Sequence, residues 1–207
     1  MSSPSGNGGR SGSPLVVVIS GPSGVGKDTL IERMAELGHR HHFTITATTR
    51  EPRPGERDGI NHHFVSRDEF INMIASDELL EWAEVFGNYY GVPRQQVRDA
   101  LARGQHVLIR VDVQGARRLR ELLPGALQIF VMPPSRSVLR KRLKERGVNS
   151  AEDMKRRLKA AQGEIQEAGL FDYVVVNEEG RLDDAVREVS EIFAKESRRQ
   201  PSRNVTV

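Results

Sequence analysis

The chain of 207 residues has no cysteine. That excludes disulfides and thiolate metal sites, and it suits a reducing compartment. It also lacks an apolar run approaching the roughly 20 residues that a membrane-spanning helix requires; near the start the longest is Leu15–Ile19. The first 14 residues contain no apolar block, so no secretory signal is expected and a cytoplasmic location follows as the expectation. Aromatic residues are scarce at 5% of the chain, and none falls between Arg136 and Lys159, its most basic segment. A basic stretch without stacking side chains offers single-stranded nucleic acid no platform. Apolar residues, in contrast, are not lacking. They make up 37% of the chain and recur in runs, which excludes general disorder and permits one domain-sized core.

The charge present is mostly arginine, 25 Arg against 6 Lys. Arginine grips phosphate through a planar fork, whereas lysine acts as a point charge. Arg136–Lys159 holds ten basic and three acidic residues, and Ser66–Glu84 holds six acidic and one basic. Oppositely charged segments in one small domain point to two separate tasks.

Along the chain, strand and helix signals alternate. Leu15–Ser20 is a β-branched apolar run, as in a strand buried on both faces. Lys27–Leu37 carries apolar residues at helical spacing. Phe43–Thr49 reads as a second strand, Val107–Val113 as a third, Leu127–Met132 as a fourth and Tyr173–Asn177 as a fifth. Helices are expected after the capping residue Ser66, with Glu69 completing a capping box, over Gln114–Leu122, after Ser135 and Ser150, and over Leu182–Lys195. This alternation predicts an α/β fold with a parallel sheet and right-handed crossovers. Arg50–Pro93 interrupts it as an insertion, and Ser197–Val207, polar and basic, reads as a frayed tail.

Between the first strand and the first helix lies Gly21-Pro22-Ser23-Gly24-Val25-Gly26-Lys27. Glycines there let backbone N–H groups turn inward around phosphate oxygens, and the helix N-terminus adds its positive end. Lys27 would bridge the β- and γ-phosphates of a nucleoside triphosphate. The next residue is ordinarily a hydroxyl ligand for Mg²⁺. Here it is Asp28, followed by Thr29, and a carboxylate is a good hard-oxygen ligand for the same ion.

Joined to Thr46-Ala47-Thr48-Thr49-Arg50-Glu51-Pro52-Arg53-Pro54-Gly55-Glu56, to Glu81 in Leu79–Glu84, to Gly87-Asn88-Tyr89-Tyr90-Gly91, to Asp112-Val113-Gln114-Gly115 and to Pro133-Pro134-Ser135, this loop closely resembles guanylate kinase. The resemblance covers about Leu15 to Lys195. It implies a five-stranded parallel core flanked by helices, with a GMP-binding lobe and a helical lid. The core would span 15–46, 98–138 and 168–196, the lobe 47–97 and the lid 139–167, with tails at 1–14 and 197–207. It implies transfer of the ATP γ-phosphoryl to GMP or dGMP with Mg²⁺, with ATP and GMP as the only binding partners expected and no membrane or obligate protein partner. Gly21–Lys27, Asp28, Thr29 and Asn177 would bind ATP, Asn177 beside the adenine, and Asp28 would hold the metal. Arg50, Arg53, His62 and Tyr90 would meet the GMP phosphate. Thr46 and Gly91 belong to the same site, and Glu81 and Asp112 would face guanine. Lys27, Arg50 and the lid arginines Arg142, Arg146 and Arg157 would surround the transferring group.

The chemistry of these residues agrees with those roles. Glu81 is an acceptor-only carboxylate, and guanine presents two adjacent donors, N1–H and the 2-amino group. Adenine presents an acceptor at N1 and would leave the carboxylate unpaired, a mismatch worth orders of magnitude. Four positions depart from the family pattern besides Asp28. His62 replaces a tyrosine, which makes phosphate binding pH-sensitive if the imidazole protonates. Thr46 replaces a serine and keeps the hydroxyl. Val92 replaces the hydroxyl residue that reaches guanine O6. Arg110 replaces an acidic residue two before Asp112, and strand alternation would place both on one face. Asp28 and Arg110 carry opposite charges and are expected to compensate one another. Two rival readings are a guanylate-kinase-like module that binds phosphopeptides without turnover, and a kinase of a phosphorylated ribose. The intact loop with Lys27 argues against the first. Glu81 argues against the second, since a sugar has no N1–H.

Overall fold

A computed structural model describes residues 14–147, 150–203 and 205–207. The tail expected over 1–14 lies outside them except for Pro14. In chain order the elements are β1 (Val16–Ser20), α1 (Lys27–Glu36), β2 (His42–Phe43), β3 (Ala47–Thr48), β4 (His63–Phe64), α2 (Arg67–Ala75), β5 (Leu79–Val85), β6 (Asn88–Pro93), α3 (Arg94–Ala102), β7 (Val107–Arg110), α4 (Val113–Leu122), β8 (Leu127–Met132), α5 (Arg136–Glu145), α6 (Ala151–Gln166), β9 (Tyr173–Val176) and α7 (Leu182–Ser197). A short 3-10 turn, Glu167–Leu170, joins α6 to β9.

Five strands form a parallel sheet in the order β2-β7-β1-β8-β9. Its centre is β1, all five residues of which are buried. Alternate residues feed two cores. Val16 and Val18 pack with Ile109, Ala116, Leu119 and Phe130. Val17 and Ile19 pack with Leu30, Met34, Val189 and Phe193 on the other face. That two-sided burial explains why the central strand reads as an unbroken apolar run.

The expected second strand, Phe43–Thr49, divides. His42–Phe43 pairs with β7 in the core sheet, whereas Ala47–Thr48 pairs with β4 and β6 in a second sheet of order β4-β3-β6-β5. The chain therefore crosses from core to insertion between Thr44 and Thr46. The insertion has its own small core, in which Phe70 of α2 packs against Ala47 and Leu79, with Trp82 and Tyr89 at its margin. The Ser66 capping box forms as the sequence predicts: Ser66 Oγ accepts from the Glu69 amide, and Glu69 Oε2 accepts from the Ser66 amide. Such a cap contributes about 1 kcal/mol.

A fourth cluster, Leu139, Leu143, Met154, Leu158 and Ala161, pairs α5 with α6 beside the phosphate loop. The C-terminal segment corrects the reading of a frayed tail. Arg203 donates to Glu196 Oε2 at 2.9 Å and to Asp172 Oδ1 at 3.1 Å, and Val205 and Val207 pack against the core. No described helix is long and apolar enough to cross a membrane.

Candidate functional site

The loop between β1 and α1 turns on Gly26, the N-cap of α1, at φ 100°. A Cβ there would lie 2.5 Å from Asn177 Nδ2, so only glycine fits both the left-handed backbone and the space. Asn177 holds the loop from below, its Nδ2 donating to the Val25 carbonyl at 2.9 Å. Arg142 grips the same region, donating to the carbonyls of Val25 at 2.9 Å and Asn177 at 3.0 Å. Lys27 folds back over the loop and donates to the carbonyls of Gly21 and Pro22. Burial pulls its ammonium below the ordinary value, opposed by neighbouring Asp28.

Asp28 is clasped by two arginines. Arg110 Nη1 donates to Oδ1 at 2.6 Å, and Arg146 Nη2 donates to Oδ2 at 3.0 Å. Burial alone would raise the carboxyl's pKa, but these cations, Arg110 foremost, hold it far below the usual carboxylate range. It is therefore ionised at any physiological pH.

Across the cleft from the loop stand Thr46, Arg50, Arg53, Glu81, Tyr90 and Asp112. Arg50 is fixed by Glu56, whose two oxygens it meets at 3.0 and 2.9 Å, while Glu56 also accepts from the Arg53 amide at 2.7 Å. The stiff Pro-containing loop thus carries an internal brace. Glu81, on β5, is 5% exposed, and its Oε2 has no partner. Burial, with the nearby charge of Asp112, pushes its pKa up to about 8. Gly115 makes room for it: a Cβ there would lie 2.8 and 2.9 Å from the two carboxylate oxygens. Thr46 Oγ1 and Arg50 Nε are likewise buried without partners. An unpaired buried polar atom costs about 1–3 kcal/mol, and these three line one cleft, where the polar groups of a ligand would satisfy them.

Some expected positions change. Arg110 ends β7 and Asp112 lies beyond it, capping α4 by accepting from the Gly115 amide at 2.8 Å. Both residues line the cleft, but they do so as strand end and helix cap, not as alternate residues of one strand. In the free protein both ring nitrogens of His62 are engaged by neighbours. Its Nδ1 faces the Thr46 carbonyl at 3.3 Å and so carries the proton, leaving Nε2 to accept from Arg110 at 3.4 Å. In the free protein, burial and Arg110 lower its pKa to about 4, so the ring is neutral near pH 7. Gly91 is a packing position, where a Cβ would meet Leu79 and Phe70. Val92 is fully buried in the core. Arg157 stays outside the cleft, paired with Asp153 at 2.9 Å and stacked on Phe86 at 4.4 Å. Thr29, Arg142 and Asn177 instead border a second cleft on the other side of the loop.

One charged cleft residue escaped sequence reasoning, besides the apolar Ala83, Val85 and Val111. Glu164 of α6 reaches the loop, where burial raises its pKa above the ordinary carboxylate value, opposed in part by Lys27 and the Ser23 amide. It extends the inward row Met154, Leu158 and Ala161 by three residues. An acid continuing an apolar stripe was the available signal.

A glycine-rich loop between a buried parallel strand and a helix, carrying a lysine and facing a second polar cleft, defines a P-loop nucleotide-binding α/β protein. The family described as guanylate kinase matches residues 13–196. Guanylate kinase 2, chloroplastic/mitochondrial, of Oryza sativa subsp. japonica is 45% identical over 195 residues, 94% of this chain and 68% of the relative. Guanylate kinase of Synechococcus sp. is 44% identical over 86% of this chain and 81% of its own. The crystal structure of guanylate kinase from Anaplasma phagocytophilum superposes with a TM-score of 0.75 at 32% identity, covering 92% of this chain and 89% of that one. The chain belongs to the guanylate kinase family.

Proposed function

We propose that the protein is an ATP:GMP phosphotransferase, converting ATP and GMP (or dGMP) reversibly to ADP and GDP. The observation that carries this is Glu81, a buried carboxylate with an unpaired oxygen set across the cleft from the phosphate loop. The 2-amino group and N1–H of guanine would satisfy both its oxygens. Asp112 sits beside it as a second acceptor. Thr46, Arg50 and Arg53, with the Tyr90 hydroxyl, would hold the acceptor phosphate. The loop amides and Lys27 would hold the donor phosphates, Lys27 leaving the carbonyls of Gly21 and Pro22 as they arrive. Arg146 is the lid arginine already in the cleft. Phosphoryl transfer asks for alignment and charge neutralisation more than for a catalytic base, and this set of cations answers that need.

The donor set near the loop fits Mg²⁺. A carboxylate has about four lone-pair positions, and the two arginines use one on each Asp28 oxygen. Asp28 would hold the ion through its remaining lone pairs, whereas Thr29 borders the other cleft. Bound there, Mg²⁺ would offset negative charge on the polyphosphate.

The test is an assay of ADP production with GMP, AMP, CMP and UMP in parallel. GMP should be turned over at least about 100-fold more efficiently than AMP. A better rate with AMP, or no ADP with any acceptor, would overturn the assignment.

A further inference from the structure

The two charged departures from the family pattern, 82 positions apart in the chain, touch one another. Arg110 stands at the end of β7, whose preceding residues Val107, Leu108 and Ile109 are fully buried, so its backbone is a rigid anchor. One prong of its guanidinium, Nη1, donates to Asp28 Oδ1 in the first turn of α1. The other, Nη2, donates to the Asn61 carbonyl at 3.2 Å and faces the neutral His62 ring at 3.4 Å. Asn61 and His62 form the turn that enters β4, within the inserted acceptor sheet. The same turn leans on α1 a second time, through Asn61 Nδ2 and Glu32 Oε1 at 3.4 Å. One side chain therefore joins core sheet, phosphate-loop helix and acceptor lobe.

A plain ion pair would need only a point charge opposite Asp28. What is built is a fork, with the Arg110 and Asp28 side chains 14% and 31% exposed and each prong directed to a different element. Arg146 already neutralises Asp28 from the other side, so charge balance alone leaves the second prong unexplained.

We propose that Arg110 is a positioning residue that couples the two nucleotide sites, its forked guanidinium tying Asp28 of the phosphate loop to the Asn61–His62 turn of the acceptor lobe. Filling either site then alters the affinity of the other. This rests on the reading of the cleft as an ATP and GMP site. The fork matters more than the charge, because lysine can replace one prong and not both.

Trp82, the sole tryptophan, neighbours Glu81 and serves as the fluorescent reporter. GMP is titrated into the full chain with and without saturating ADP. In the unaltered protein ADP should strengthen GMP binding by at least about five-fold. In Arg110→Met, checked for native circular dichroism, the effect should shrink to within about two-fold. Arg110→Lys should keep the thermal stability and still lack the coupling. It carries the test alone if Arg110→Met does not fold. The exchanged pair, Asp28→Ser with Arg110→Asp, should turn over GMP faster than the product of the two single effects predicts. Coupling that survives in folded Arg110→Met, full rescue by lysine, or strictly additive single effects would each overturn the proposal. So would unaltered protein that binds GMP indifferently to ADP. Unaltered protein that binds no GMP at all would overturn the cleft assignment itself, and this inference with it.

Discussion

The two sides of the cleft differ in how their polar groups are satisfied. On the donor side the loop is closed upon itself: Lys27 bonds loop carbonyls, Asn177 and Arg142 share the Val25 carbonyl, and Asp28 is held by two arginines. On the acceptor side Thr46 Oγ1, Arg50 Nε and Glu81 Oε2 are buried without partners. A polyphosphate is bound largely by backbone amides, which any folded loop carries, so the free loop can rest in a self-bonded state. A nucleobase is chosen by side chains, and choice requires groups that only the right base satisfies. On the proposed assignment, the loop side serves charge and the Glu81 side discrimination.

That contrast can be broken by mutation, beginning with the largest expected effect. Lys27→Ala should lower kcat by at least about 100-fold with the fold intact by circular dichroism; an unchanged rate would remove the loop from the chemistry. Glu81→Gln should raise KM for GMP by about 100-fold, the loss expected when a charged acceptor facing two donors is replaced by an amide, while KM for ATP moves little. Arg53→Ala should raise KM for GMP by about ten-fold, as for one partly exposed charge-assisted contact, and leave ATP affinity nearly intact. An effect confined to ATP would show that the lobe is assigned to the wrong nucleotide.

The smallest effect sharpens the contrast through stability. In the free protein the Glu81 carboxyl holds its proton up to about pH 8, against an ordinary value of 4.5. A group that binds its proton more tightly when folded stabilises the fold at low pH, and that contribution is lost as pH rises from about 4.5 toward 8. Glu81→Gln removes this dependence. Its Tm should therefore gain on the unaltered protein between pH 5 and pH 8, by about 2–4 °C for each kcal/mol relieved. A parallel pair of Tm curves would mean that Glu81 is not strained in the free state.

Legibility followed the same divide. The loop, the central strand and the caps at Ser66, Ser135 and Ser150 could be read because each is local: glycine spacing, a β-branched run, a hydroxyl before an amphipathic stretch. The inserted sheet could not. Its strands β3 and β4 are two residues each, too short for periodicity, and their pairing joins residues far apart in the chain. For the same reason Phe43–Thr49 read as one strand although it serves two sheets. The expected face-sharing of Arg110 and Asp112 failed because the strand stops at Arg110 and Asp112 prefers the capping position, where its side chain meets an amide. The compensation of Asp28 by Arg110 was foreseeable from charge. The third partner, the Asn61–His62 turn, was not, because a backbone carbonyl leaves no mark in sequence. The family resemblance supplied the acceptor residues that local reasoning lacked, and the geometry then separated those lining the cleft, such as Glu81 and Thr46, from Gly91 and Arg157, which do not.

The central claim is that one buried, unpaired carboxylate selects guanine, and GMP affinity against pH tests it most directly. From pH 7 upward the acceptor phosphate is already largely dianionic, so Glu81 dominates the titration. With a free-state value of about 8, ionisation should raise GMP affinity about eight-fold between pH 7 and pH 8.5, and Glu81→Gln should show no slope. Affinity in the unaltered protein that is flat across that range, or a slope that survives in Glu81→Gln, would contradict the account.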